Sequence, residues 1–288
     1  MAKGFIWGTL LILSFILGVS FLSINIKTKN LATGNTQKQN NEKIKILIYP
    51  GHEPEYGGAE FNKIKERDLN LLLSEKIKNV LVSNPKFEVT MVRDSVGWNP
   101  VIKNYVSDNK EEIKTWVEAK KAEMYRLVDE GKFTLVSAEM GHRATPIDPA
   151  IFMYGVNKWA GENKIKATIH IHFNNNPKYK GQPNFAGFVI YTPEKQYANA
   201  SSSKILADSI ATEIAKIQKV STMPAESGGV VEDQELIALG SYNTSSFPVV
   251  LAEYAYIYEP LMTKEDTRNI FIDQAASSTA QALENFFR

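Results

Sequence analysis

The chain has 288 residues, 43% hydrophobic and 23% charged, enough for one sizeable core domain with accessory segments. A formal net charge of +1 excludes nucleic acid as the main partner, because phosphate binding needs a strong basic excess. Cysteine is absent, which excludes disulfides, thiolate metal sites and cysteine nucleophiles; any metal must be held by carboxylates and by His52, His142, His170 or His172.

Residues 4–26 form an uncharged run dominated by Leu, Ile, Phe and Val. At roughly 1.5 Å per helical residue, about 23 residues reach about 34 Å, enough to span a hydrocarbon core of roughly 30 Å. The run continues past Gly18-Val19-Ser20, a candidate cleavage site, so residues 1–26 read as an uncleaved signal-anchor, a single transmembrane helix. Lys3 precedes the span and Lys27 and Lys29 follow it, so the positive-inside rule barely decides the orientation. Residues 27–43 are rich in Asn, Gln, Lys and Thr without hydrophobic period, and read as a flexible linker.

From Ile44 onward strands and helices alternate, which predicts an α/β three-layer sandwich over residues 44–288, a mostly parallel sheet with helices on both faces. The first strand covers residues 44–49. Leu69, Leu72, Leu73, Ile77 and Val80 recur at helical spacing and define the first helix. A strand follows at 87–92, then an exposed charged helix at 110–129, a short strand at 133–136 and a helix at 150–159. Strands are expected at 167–173 and 185–192, an amphipathic helix at 203–217 and a late buried strand at 247–252. The last helix starts at Thr263-Lys264-Glu265-Asp266, which has capping-box spacing with Asp in the acidic position.

Four polar groups fall where such strands and helices end. In an open parallel sheet, ligands gather at the carboxyl ends of the strands. His52 follows the first strand by three residues. Glu66 lies on the stripe of Leu69, Leu73 and Ile77, so it points inward, where a charge is costly unless paired or metal-bound. His172 closes a strand reading Ala-Thr-Ile-His-Ile-His-Phe, and Glu253 follows Phe-Pro-Val-Val-Leu-Ala. Two histidines and a glutamate leave one position of a tetrahedral zinc open for water, and a second glutamate can shuttle that water's proton. Taken singly, each has a blander reading. His52 could be an ordinary loop histidine, Glu66 a helix N-terminal carboxylate, His170 and His172 a hydrogen-bonded pair, and Glu253 a partner for Arg93.

These residues also carry a family resemblance. Gly51-His52, Glu66-Arg67-Asp68-Leu69-Asn70-Leu71, His170-Ile171-His172-Phe173-Asn174, Gly187-Phe188-Val189-Ile190-Tyr191 and Pro248-Val249-Val250-Leu251-Ala252-Glu253 occur in that order. The chain resembles the zinc-dependent N-acetylmuramoyl-L-alanine amidases of peptidoglycan, of the sporulation and cell-division type. The resemblance covers residues 44–288. It implies zinc ligands at His52, Glu66 and His172, Glu253 as catalytic acid/base, and hydrolysis of the amide between N-acetylmuramic acid and L-alanine.

Departures from the family pattern are Glu53 after Gly-His, His170 in place of a serine, and Tyr254-Ala255-Tyr256-Ile257-Tyr258 after the glutamate. His170 becomes a candidate metal contact or supporting group, Asn174 a candidate substrate contact or supporting group, and Tyr254, Tyr256 and Tyr258 candidate cleft residues. Residues 95–165 fit the family poorly and read as an insertion, a candidate lid. Within it, Glu139-Met140-Gly141-His142-Arg143 makes His142 a candidate for substrate or metal. Arg93, like the family's Thr-Arg turn, is expected in a structural salt bridge or on a substrate carboxylate.

The resulting expectation is a single-pass membrane protein whose catalytic domain lies outside the cytoplasm, with peptidoglycan as substrate and room for a protein activator. Two rivals stay open: a related zinc amidohydrolase or carboxypeptidase on another acyl-amino acid or peptide, and a non-catalytic wall-binding regulator.

Overall fold

The computed structural model describes residues 42–53, 57–138, 145–175 and 185–288. The expected membrane span, the linker up to residue 41 and the His142 motif lie outside the described residues. Among those described, no helix is long and apolar enough to cross a membrane.

A six-stranded sheet organises the domain. Its strands are β1 (Ile44–Pro50), β4 (Phe87–Met91), β5 (Ala167–Asn174), β6 (Val189–Pro193), β7 (Val230–Asp233) and β8 (Val249–Tyr256), in the order β4-β1-β5-β8-β6-β7. A small hairpin, β2 (Glu60–Phe61) with β3 (Ile64–Lys65), stands apart. All sheet pairings are parallel except β6 with β8. Both faces of such a sheet need cover, and the strands are accordingly apolar nearly throughout. Ile46, Ile48, Ile169, Ile171, Val250 and Ala252 face α1 (Glu66–Val82), α5 (Ala200–Ile214) and α7 (Glu265–Phe286), which α6 (Pro260–Thr263) introduces. On the other face, Leu47, Tyr49 and Val92 pack with α2 (Pro100–Asp108), α3 (Lys110–Asp129) and α4 (Ile147–Glu162). The stretch expected as an insertion thus supplies the helical layer of the second face.

The first helix buries Glu66, Leu69, Asn70, Leu73, Ser74, Ile77 and Leu81. Val80, expected on that stripe, is exposed; the i, i+4 row from Ile77 lands on Leu81 instead. No strand forms at 133–136. Its main chain is paired by glutamine side chains: Thr134 N–H donates to Gln196 Oε1 (2.8 Å), Gln196 and Gln234 donate to Thr134 O (3.0 Å each), and Val136 N–H donates to Gln234 Oε1 (2.9 Å). The strand expected from residue 185 starts at Val189, because Gly187 has φ +107 and Phe188 makes an isolated bridge to Val220. The capping box is also absent. Thr263 ends α6 with its hydroxyl on Pro260 O (3.0 Å), and α7 starts behind an extended Lys264.

Candidate active site

The carboxyl end of β1 runs into Gly51 and His52. Gly51 N–H donates to Ile171 O of β5 (2.9 Å), which ties the turn to the neighbouring strand. The Gly51 carbonyl accepts from Asn70 Nδ2 of α1 (3.1 Å) and from Arg93 Nη2 (2.8 Å). Arg93, 3% exposed, also donates to Pro50 O and Arg67 O (3.1 and 2.8 Å). Among the described residues the expected salt bridge of Arg93 does not form: its guanidinium is a brace on three main-chain carbonyls between β1 and α1. His52 itself sits at φ +64, a left-handed conformation that is unusual for a residue with a side chain and clusters at functional sites.

Glu66 opens α1, where the positive end of the helix favours a carboxylate. Its Oε2 accepts from Ala59 N–H (3.0 Å) and lies 2.8 Å from His52 Nε2, while Oε1 lies 3.0 Å from His172 Nδ1. Ligand atoms of these three side chains all fall within 4.8 Å of one another. The sequence therefore brings together groups 14 and 106 residues apart, counting from His52 to Glu66 and from Glu66 to His172.

Burial works against protonated His52, but the hydrogen bond and charge of Glu66 outweigh it and raise its pKa. For His172 burial wins, and the pKa is lowered. Glu66 is buried too, which alone would raise its pKa, yet the two histidines hold it well below the usual carboxylate range. It is an ionised carboxylate between two imidazoles.

Glu253 stands beside this cluster, in register with His172 across β5 and β8. Burial first, then the charges of Glu66 and Glu226, push its pKa well above the ordinary value. Its Oε2 is sealed from solvent and, among the described residues, has no hydrogen-bond partner. His170, one step back on the same face, is not part of the cluster. It stacks on Tyr49 (centroids 4.6 Å apart), and burial, with His172 adding, brings its pKa down to about 3. It stays neutral and serves the packing under the site.

These residues fit a divalent ion. A tetrahedral zinc with bonds of roughly 2.0–2.2 Å takes two imidazole nitrogens and a carboxylate oxygen and leaves a fourth position free. The space around the cluster is kept by glycines. A Cβ on Gly51 would lie 2.3 Å from the His172 ring, and one on Gly58 would lie 2.4 Å from the His52 ring and 2.7 Å from Glu66 Oε2. Glu253 Oε2, without a partner among the described residues, keeps its lone pairs free to accept a proton beside the cluster.

Sequence reasoning missed one member of this neighbourhood. Glu226 is fully buried, in a 3-10 turn (Pro224–Glu226). Its Oε1 accepts from Asn174 Nδ2 (2.9 Å) and Tyr191 Oη (2.8 Å), and its Oε2 accepts from Ser221 Oγ (2.5 Å) and Tyr256 Oη (2.7 Å). The turn reads Pro-Ala-Glu-Ser-Gly-Gly, which looks like a solvated loop. The available signal was Tyr191, because a phenol on a buried strand needs an acceptor. Of the tyrosines expected in the cleft, Tyr254 instead faces α7, where its hydroxyl meets Thr279 Oγ1 at 2.8 Å.

A mostly parallel sheet carries, at its strand ends, a His–Glu–His cluster able to hold a metal ion and a carboxylate beside it. The family model for N-acetylmuramoyl-L-alanine amidase matches residues 46–285, and the chain belongs to that family. It is a peptidoglycan amidase, and this decides among the three readings the sequence left open. Solved structures share the fold. They include the N-acetylmuramoyl-L-alanine amidase from Clostridium difficile 630 (17% identity, 85% of this chain and 97% of that one, TM-score 0.52). Ami1 of Mycobacterium abscessus is similar at 13% identity (85% and 98%, TM-score 0.55). The CwlD amidase of Clostridioides difficile, solved in complex with the GerS lipoprotein, is similar at 16% identity (85% and 98%, TM-score 0.53). No curated protein matches the chain.

Proposed function

We propose that this amidase is zinc-dependent, with His52, Glu66 and His172 holding the ion and Glu253 acting as acid and base. The observation that carries the reading is the convergence of three ligand atoms within 4.8 Å beside a buried carboxylate oxygen that nothing else engages. When bound, the ion polarises the scissile carbonyl and lowers the pKa of water toward neutrality.

The protein's own groups supply the proton chemistry. Glu253 Oε2 takes a proton from the attacking water as oxygen bonds to the lactyl carbonyl carbon. It then gives that proton to the alanine nitrogen as the C–N bond breaks, so the amine leaves neutral and the lactyl group leaves as a carboxylic acid. The two glutamates divide the work because their surroundings push their pKa values apart, Glu66 down and Glu253 up. A ligand must stay ionised; a shuttle must exist in both forms. Glu253→Gln is expected to abolish muropeptide cleavage, a loss of at least about a hundredfold, while bound zinc stays at the wild-type level. Full activity in that variant would defeat the assignment.

The reading includes a single-pass membrane tether formed by residues 1–26, with the catalytic domain on the extracytoplasmic side. The uncharged run of residues 4–26 and the location of the substrate support it. Cell fractionation tests it: the full chain should sediment with membranes and be digested by protease added outside spheroplasts, and a freely soluble full chain counts against it. A protein activator is part of the same reading, motivated by the complex of CwlD with GerS. Full wall-clearing activity of the isolated full-length chain would remove that element.

A further inference from the structure

The bulge between β5 and β8 has a chemical product. His172 pairs with Glu253, but two residues later Asn174 pairs with Tyr256, three residues on, so β8 carries one extra residue. Without it Tyr256 would share the face of Val250, Ala252 and Tyr254, toward α7. The slip turns its hydroxyl to Glu226, beside Asn174.

Glu226 then has no free lone pair for chemistry: two donors meet each oxygen. What it does control is the amide of Asn174. A carboxylate accepts and never donates, so the group facing it must be the NH2, and the amide cannot flip. The main chain of Asn174 is pinned as well, its carbonyl accepting from Ile257 N–H (2.9 Å). Asn174 is half-buried, follows His172 on the same face of β5, and its Oδ1 accepts from no described residue.

We propose that Asn174 is a specificity-determining residue whose Oδ1 accepts a hydrogen bond from the muramoyl-peptide substrate, and that Glu226 is the positioning residue that aims it. The inference rests on the amidase reading of the same site. The donor is an N–H of the peptide stem or an O–H of the sugar, two sources of one chemistry. An acceptor locked in place selects for a donor strongly, because a substrate lacking one leaves that acceptor unpaired on binding.

The test uses the full-length protein and a soluble N-acetylmuramoyl-peptide. Asn174→Ala is expected to raise KM by about tenfold with kcat within about twofold and bound zinc unchanged. Glu226→Ala, which leaves Asn174 Nδ2 without that acceptor, should do the same, and the double variant should be no worse than Asn174→Ala, because Glu226 acts through Asn174. Multiplying effects in the double variant, or a Glu226→Ala that lowers kcat alone, would overturn the proposal. If wild type discriminates against a stem N-methylated next to alanine and Asn174→Ala does not, the donor is the stem N–H; equal discrimination by both assigns the sugar O–H.

A second measurement does not need turnover. In 15N-labelled protein the Asn174 side-chain amide, identified by its loss in Asn174→Ala, should move when Glu226→Ala removes its acceptor and when muropeptide is added. An amide resonance unmoved by both changes refutes the proposal. A wild type that fails to cleave muropeptide both alone and with a cell extract that supplies an activator instead refutes the amidase reading, and leaves the resonance test standing.

Discussion

At the scale of single residues, the site depends as much on what is missing as on what is present. Gly51 and Gly58 carry no side chain because the imidazoles of His172 and His52 occupy that space. Gly51→Ala is expected to weaken zinc binding by about 10- to 100-fold, since the new methyl must displace the His172 ring from Glu66. Competition with a chromophoric chelator measures this, and unchanged affinity would mean the ring does not serve as a ligand. The acid side of the pH profile belongs to this scale too. In the proposed mechanism Glu253 must be ionised to take a proton, and its pKa is raised by burial, then by Glu66 and Glu226. Activity therefore falls, as pH drops, at a higher pH than an ordinary carboxylate would set. Replacing Glu226 by Gln removes one of the two neighbouring charges, so the acid limb should move to lower pH in kcat/KM profiles, with any effect of the ion common to both proteins. An unmoved limb would show that Glu226 is electrically remote. His52, Glu66, His172 and Glu253 were legible because each is a polar group breaking an apolar pattern. Glu226 was not: its four partners are Asn174, Tyr191, Ser221 and Tyr256, and nothing in a Pro-Ala-Glu-Ser-Gly-Gly stretch distinguishes a buried carboxylate from a solvated one.

At the scale of elements, Arg93 joins the end of β1 to the start of α1. Removing its guanidinium leaves buried carbonyls of Pro50, Gly51 and Arg67 short of a donor, although Asn70 still reaches Gly51. At roughly 1–3 kcal/mol for an unsatisfied buried polar group, Arg93→Met should destabilise the domain by about 3 kcal/mol in urea unfolding. Arg93→Lys should recover little, because an ammonium cannot span three carbonyls as a planar fork does. A loss below about 0.5 kcal/mol would make the brace incidental. The helices and central strands were readable from periodicity, since period 3.6 and near-continuous apolar runs survive in the sequence. The 133–136 segment was misread for a definite reason. Its extended backbone is satisfied by Gln196 and Gln234, and a glutamine that imitates a neighbouring strand has no periodicity of its own. The missed bulge in β8 is of the same kind: one inserted residue leaves the hydrophobic run Val249–Tyr256 looking regular.

At the scale of the whole molecule, the cluster is a side-chain clasp between β1, α1 and β5, added to the strand pairing of β1 with β5 and the Asn70 bond from α1 to Gly51. An ion binding the folded state alone adds RT ln(1 + [L]/Kd), about 2.7 kcal/mol at a hundredfold excess over Kd. For a domain of this size that corresponds to roughly 5–10 °C in Tm. Chelation should lower Tm by about that much and zinc should restore it; a Tm indifferent to both would leave the cluster without an ion. The α/β class and the two helical layers were expected from the alternation of elements. The strand order was not, because contacts between distant segments leave no local trace.

That order has a consequence for when the protein becomes dangerous to its maker. Among the described strands β8 is the last made, yet it lies in the interior of the sheet, between β5 and β6. A nascent chain that has not reached Val249 has a split sheet with two raw edges and no Glu253. On the proposed role of Glu253, a translation product that stops short of β8 lacks the proton shuttle as well as the strand that joins β5 to β6, and premature termination should yield an inert fragment.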